Sequence, residues 1–239
     1  MIVDACLSTV LDANCYVVAR GEGDPALVID PGVGTADAVA AIVKKWNLTI
    51  GAVLCTHGHL DHVWDAAEVA GRAPVYVPGP DLYRMDDPGS VDVMGPQFAP
   101  LVEHLPHPWV KPANLHAVPD EAVSGGVELV EGVPVRMLPA PGHSEGSSLF
   151  FVAGPVTAGN RAGVGASPIL CFDGDVIFAG SVGRTDLPGG DQRLMLQSLR
   201  TLLNVVDPQT VLFPGHGPAT TMERQAQSNP YLNEARHVG

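Results

Sequence analysis

Charge is scarce in this chain. Asp, Glu, Lys and Arg make up 16% of its 239 residues, against 46% hydrophobic residues. That balance excludes a disordered polymer and gives enough apolar material for a full core. Basic residues are scarcer still, 13 against 26 acidic, for a formal net charge of −13 with His neutral. Such a field repels phosphate backbones, so no nucleic-acid partner and no anionic membrane surface is expected. Cysteine is sparse. Cys6, Cys15, Cys55 and Cys171 form no C-x-x-C pair, and three of them lie in apolar runs. Free thiols in a reducing compartment are expected rather than a disulfide scaffold. No apolar run approaches the roughly 18 residues of a membrane span. The N-terminus lacks a basic region followed by an apolar signal core, so a cytoplasmic location is expected. Internal repeats and linker-like stretches are also missing, and one domain over residues 1–239 is expected.

The stretch Thr56-His57-Gly58-His59-Leu60-Asp61-His62 places three histidines and a carboxylate within six residues. It follows Gly51–Cys55, an apolar run that reads as a buried strand. His57 and His59 are two apart and cannot share a helix face, which needs spacings of three or four. They suit a strand end or the loop after it, with a helix from Leu60 to Ala70. Nitrogen donors with one carboxylate suit zinc, iron or manganese.

Around this array the pattern alternates. Strands are expected at Asn14–Arg20, Ala26–Asp30 and Pro74–Pro78, with the turn Asp30-Pro31-Gly32 closing the second. A helix N-capped by Thr35 is expected to run to about Trp46. Residues 79–126 hold eight of the 22 prolines, together with His104, His107 and His116. An irregular segment of that length reads as a lid or binding loop, and its three histidines as surface or lid positions. Val127–Leu138 reads as two short strands around Glu131-Gly132, and Ser148–Ala153 as another strand. The Gly/Ala-rich stretch 154–168 reads as a mobile loop. Ile169–Phe172 and Val176–Ala179 read as strands joined by Asp173-Gly174, which local rules make a hairpin turn. A helix over Gln192–Asn204, a strand over Thr210–Phe213 and two short helical pieces follow. This order is that of an α/β layered protein.

His57, His143, Asp175 and His216 each sit near the end of an apolar strand, beside glycine. Strand ends at one edge of a layered sheet converge, and ligands bind there. The motifs H-x-H-x-D-H (His57–His62), P-G-H-S-x-G-S (Pro141–Ser147), F-x-G-D-x-x-F-x-G-S-x-G-R-x-D (Phe172–Asp186) and P-G-H-G (Pro214–Gly217) stand in that order. Together they resemble the metallo-β-lactamase fold superfamily, most of all the glyoxalase II-like thioester hydrolases. The resemblance spans Asn14 to His216. It implies a four-layer αββα sandwich and a metal pair, most simply two zinc ions, with iron or manganese as other occupants. His57, His59 and His143 would hold one metal, and Asp61, His62 and His216 the other, with Asp175 between them. The implied reaction is attack of metal-activated water on a small-molecule thioester, with Asp61 as the catalytic carboxylate that orients the water. Loops 79–126 and 154–168 would set specificity. Only 23 residues follow His216, fewer than the helical extension with which glutathione-specific glyoxalase II binds glutathione, so a short bacterial form is expected. Arg184 has two readings, a contact to a substrate carboxylate or an ion pair with Asp186. The Gly183-Arg184-Thr185-Asp186 stretch also resembles the persulfide dioxygenases, single-iron oxygenases that would use His57, His143 and Asp175. A lactonase or β-lactamase is a further alternative. A non-catalytic scaffold is disfavoured, having no need of all seven ligands.

Overall fold

A computed structural model describes residues 1–161 and 169–237. Short apolar strands separated by turns build a first sheet in chain order. It contains Ile2–Leu7 (β1), Asn14–Ala19 (β2), Pro25–Ile29 (β3), Thr49–Leu54 (β4), Val75–Val77 (β5) and Leu115–Ala117 (β6). β1, β2 and β3 pair antiparallel, and β3 to β6 run parallel. The second sheet contains Val127–Val130 (β7), Val133–Pro139 (β8), Ser148–Ala153 (β9), Ile169–Gly174 (β10), Val211–Pro214 (β11) and Thr220–Thr221 (β12). All its pairs are antiparallel except β10 and β11.

Alternate side chains of both sheets face each other. Val18, Leu27, Ile29 and Leu54 meet Val135, Phe150, Phe172 and Phe213 in the central core. The other face of the first sheet carries Ala36–Lys45 (α1), with Leu60–Val63 (α2) and Ala66–Ala70 (α3) beside it. Short helices at Val91–Met94 (α4), Ala99–Val102 (α5) and Glu121–Ser124 (α6) lie within the proline-rich segment. The second sheet is covered by Gln192–Val205 (α7), with Met222–Ser228 (α8) and Pro230–Ala235 (α9). The layers are therefore αββα, as the resemblance implied. No helix among the described residues is long and apolar enough to cross a membrane. The four cysteines are free thiols, three of them buried.

Several local expectations are corrected. The helix over Leu60–Ala70 is two pieces, because the Asp65 N–H turns to Pro31 O at 3.0 Å. Thr35 does not cap α1 with its side chain. Its hydroxyl donates to Gly32 O at 2.8 Å, and the Asp65 carboxylate accepts from Ala36 N at 3.0 Å instead. Asp173-Gly174 is not a hairpin turn and Val176–Ala179 is not a strand: both flanks of β10 are occupied, by β9 and β11, so no returning strand can pair there. β1 and β6 were not legible as strands. Residues 79–126 hold two 3₁₀ stretches, Gly79–Asp86 and Pro96–Phe98, as well as the short helices and β6. Of the expected loop 154–168, residues 155–161 hydrogen-bond along β1. Residues 162–168 lie outside the described residues.

Candidate metal centre

Strand direction explains why distant motifs meet. β3 and β4 are parallel, β10 and β11 are parallel, and β9 starts where β10 ends. Asp30 follows β3, His57 follows β4, Pro141–Ser147 lead into β9, Asp175 follows β10 and His216 follows β11. Ser148 N donates to Thr56 O at 3.2 Å and ties the two sheets at this edge. The Pro214–Gly217 loop is held from β2. Asn14 Nδ2 donates to Pro214 O and to Gly217 O, each at 2.9 Å, and the Tyr16 hydroxyl donates to Pro214 O at 2.7 Å.

All seven expected residues come together. They form three overlapping triads, His57/His59/His143, His57/His62/Asp175 and Asp61/His62/His216, with donor atoms within 4.8 Å of one another in each. His143 Nε2 lies 2.8 Å from His59 Nδ1 and 3.2 Å from His57 Nε2. Asp175 lies between the sets, with Oδ1 3.3 Å from His62 Nε2 and Oδ2 3.5 Å from both His143 Nε2 and His216 Nε2. Asp61 Oδ2 is 3.2 Å from His216 Nε2.

The outer ring nitrogens of His57, His62 and His143 are anchored, which decides where their inner lone pairs point. His143 Nδ1 donates to Arg184 O at 2.7 Å, and His62 Nδ1 to Asp30 Oδ2 at 3.0 Å. The Thr56 hydroxyl donates to Asp30 Oδ2 at 2.7 Å, so it accepts from His57 Nδ1 at 3.1 Å. A carboxylate or carbonyl behind an imidazole fixes its tautomer and raises its basicity as a ligand. Asp30 itself holds a left-handed backbone, φ 53°, and is buried. Sequence reasoning read Asp30 only as part of a turn. A carboxylate ending a strand just before Pro-Gly was the available signal.

The donor set fits metal cations. His62 Nε2 and Asp175 Oδ1 are buried without a hydrogen-bond partner. Burial, with the neighbouring imidazoles, pushes His57 and His59 well below the ordinary histidine value, and burial lowers His143. These three present bare lone pairs at neutral pH. Burial alone would also lower His62, but the carboxylates of Asp175, Asp61 and Asp30 outweigh it and raise His62 well above the ordinary value. Against the same burial penalty, Asp61 and Asp175 raise His216. Burial works against the Asp175 carboxylate, yet His62 and its neighbours hold it far below the usual range. The carboxylates thus favour a proton on His62 and His216 where a cation would stand, and cation binding would displace it.

Arg184 lies at the rim of the cavity. Its guanidinium grips Asp186 at 2.7 and 2.8 Å, so of its two readings the ion pair is present, and its carbonyl orients His143. His104 and His116 are exposed, and His107 bonds Asp65 at 3.0 Å; none joins the triads. Above the cluster a cavity of about 380 Å³ is walled by Leu11, Met94, Phe98, Phe178, Val182 and Leu187.

The sequence profile of the metallo-β-lactamase superfamily matches residues 8–156. The chain belongs to the metallo-β-lactamase superfamily. Among other members, an uncharacterized protein of Mycobacterium tuberculosis is 34% identical, over 97% of this chain and 98% of its own. The hydroxyacylglutathione hydrolase GloC of Haemophilus influenzae is 29% identical, over 94% of this chain and 95% of its own. Solved structures that share the fold include two of similar length. The B3 metallo-β-lactamase BLEG-1 has TM-score 0.76 and 28% identity, covering 97% of this chain and 99% of its own. TTHA1623 in a di-iron-bound form has TM-score 0.70 and 30% identity, covering 95% and 98%. The superfamily is one of metal-dependent hydrolases, and this chain carries its His/Asp cluster.

Proposed function

We propose that the protein is a dinuclear metal-dependent hydrolase of the glyoxalase II-like type, cleaving thioesters of a low-molecular-weight thiol. One observation carries the reading: two donor sets, His57/His59/His143 and Asp61/His62/His216, meet with the Asp175 carboxylate between them. One set is three imidazoles and the other two imidazoles with a carboxylate, and with Asp175 between them this donor chemistry suits zinc, with iron or manganese as other occupants. The likeness to the Haemophilus influenzae hydroxyacylglutathione hydrolase supports the thioester as substrate.

Bound divalent cations would supply Lewis acidity and a water of lowered pKa. The chain's own residues do the rest. Asp61 faces both His62 and His216 and would accept a hydrogen bond from the attacking water, orienting its lone pair toward the acyl carbon. The leaving thiolate needs no acid, since a free thiol ionises near pH 8.5. Apart from the cluster residues, the cavity is lined by apolar side chains with Ser181 and Arg184 and, among the described residues, by no further carboxylate. Met94 and Phe98 bring the proline-rich segment over the centre and would select the acyl group. The Arg184 cation is matched by Asp186, so the wall favours an uncharged acyl group.

The test is metal content and turnover of protein purified without added metal. About two divalent ions per chain and hydrolysis of S-acyl thiols are expected. Asp61→Ala should keep the wild-type circular dichroism and lose about 10²–10⁴-fold in kcat. One iron per chain, with oxygen uptake on a thiol persulfide and no thioester turnover, would establish the persulfide dioxygenase reading instead.

A further inference from the structure

Asp81 lies in the 3₁₀ stretch Gly79–Asp86, outside every motif singled out in the sequence, and is fully buried. Its carboxylate receives four donors. Oδ2 accepts from Gly58 N at 2.8 Å and from the Ser144 hydroxyl at 2.7 Å. Oδ1 accepts from Gly146 N at 2.7 Å and from Arg84 Nε at 3.3 Å. Gly58 is the residue between His57 and His59, and Ser144 and Gly146 lie in the Pro141–Ser147 loop just after His143. One carboxylate therefore joins the two loops that carry the three-histidine set. The Asp61/His62/His216 set has no bond to it.

Arg84, also fully buried, extends the clamp. It reaches Glu145 in the same loop and donates to Pro188 O at 2.9 Å. The fit leaves no slack. A Cβ on Gly58 would lie 2.7 Å from Arg84 Cβ, and one on Gly146 would lie 2.6 Å from Asp81 Cγ. Both glycines are explained by this approach rather than by turn conformation. A buried carboxylate with all its lone pairs engaged by donors is stiff, and donors to an ionised acceptor are the stronger kind of hydrogen bond.

We propose that Asp81 is a positioning residue: it sets the distance between the His57–His59 loop and the His143 loop and thereby tunes metal affinity at that set alone. The inference rests on the reading that these histidines hold metal, and it does not require that the substrate be a thioester. Asn at position 81 keeps the shape, but its amide group turns donors toward donors at one side of the clamp.

The experiment is zinc affinity by chelator competition, with unfolding followed in parallel, in two single-set backgrounds. In His216→Ala, where the three-histidine set remains, adding Asp81→Asn should weaken zinc binding about 10–100-fold, the usual cost of losing an outer-shell partner. In His143→Ala, where the Asp61/His62/His216 set remains, the same change should leave affinity within about twofold. Ser144→Ala removes one donor with no buried charge unpaired and should shift the same set in the same direction, less far. It decides the matter if the Asp81 variant fails to fold. Equal loss in both backgrounds, no loss in the His216→Ala background, or a wild-type chain that binds no zinc overturns the proposal. Loss confined to the three-histidine set, in a protein that hydrolyses no thioester, would keep the clamp and discard the proposed reaction.

Discussion

His57, His62 and His143 each give one ring nitrogen to an anchoring oxygen and turn the other inward, whereas His107 turns both outward to acceptors. Its Nδ1 faces Pro108 O at 3.1 Å and its Nε2 faces Asp65 Oδ1 at 3.0 Å. Both nitrogens can donate only in the protonated ring. Burial pulls this histidine down, but the bonds to Pro108 O and to Asp65 outweigh that and raise it above 6.5. A raised folded value means stability fully present below about pH 6.5 and lost as pH climbs through the folded value. His107→Gln should therefore lower the melting temperature at pH 6 and match the wild type at pH 9. The pair is partly exposed, so the effect should stay within about 1 kcal/mol, or ~2–4 °C for a chain of this size. A deficit that is the same at both pH values would show that the charge plays no part. The contrast also marks what single residues disclose. The metal histidines stood out by their spacing and by the glycines beside them. Asp30 and Asp81 did not, because a carboxylate becomes an anchor only through donors supplied by strands and loops far away in the chain.

At the scale of elements, the ends of β10 and β11 must pass each other closely so that Asp175 can stand between the two donor sets. Gly215, the first residue after β11, makes that approach possible. A Cβ there would collide with Asp175 Oδ1 and sit 2.6 Å from His62 Cε1. The backbone agrees, since Gly215 N donates to Gly174 O at 2.7 Å. Gly215→Ala should leave the strands paired, because no sheet hydrogen bond depends on the missing hydrogen atom, but it should displace the shared carboxylate. Metal content should fall from about two ions per chain to one or fewer, and kcat should fall at least about 100-fold, as expected for a misplaced reacting group. Wild-type metal content in this variant would refute a shared Asp175. Most strands and the long helix α7 were legible from hydrophobic periodicity, whereas the Asp191 cap of α7, whose carboxylate accepts from Leu194 N at 2.9 Å, was not singled out. The failures came where neighbours overrule local pattern. Asp-Gly after β10 makes no hairpin because both flanks of β10 are taken, and the α2–α3 helix breaks because Asp65 is drawn to Pro31 and Ala36.

For the whole molecule, the question is whether the fold needs its metals. The central core between the sheets and the two cores beneath the helices are built from apolar side chains and contain none of the seven donor residues. The cluster also balances itself without a cation, because raised His62 and His216 face the carboxylates of Asp61 and Asp175. Metal-free protein should therefore stay folded, unlike small domains that unfold when a structural zinc is removed. Its stability should still depend on free metal, since a ligand held at a thousandfold excess over its dissociation constant adds about 4 kcal/mol per site. At ~2–4 °C per kcal/mol that is a rise of roughly 8–16 °C per site. The sign with pH follows from the same groups. Raised His62 and His216 stabilise the metal-free form below about pH 6.5 and lose that contribution as pH rises through their folded values. Lowered His57, His59 and His143 act with the opposite sign below about pH 6.5 and hold no proton for a metal to displace. The protons that compete with metal leave over the same range, so affinity rises. The gap in melting temperature between loaded and chelated protein should widen from pH 6 to pH 9, with far-ultraviolet circular dichroism unchanged by chelation. Collapse of the cooperative transition on chelation would instead make the cluster part of what holds the two sheets together.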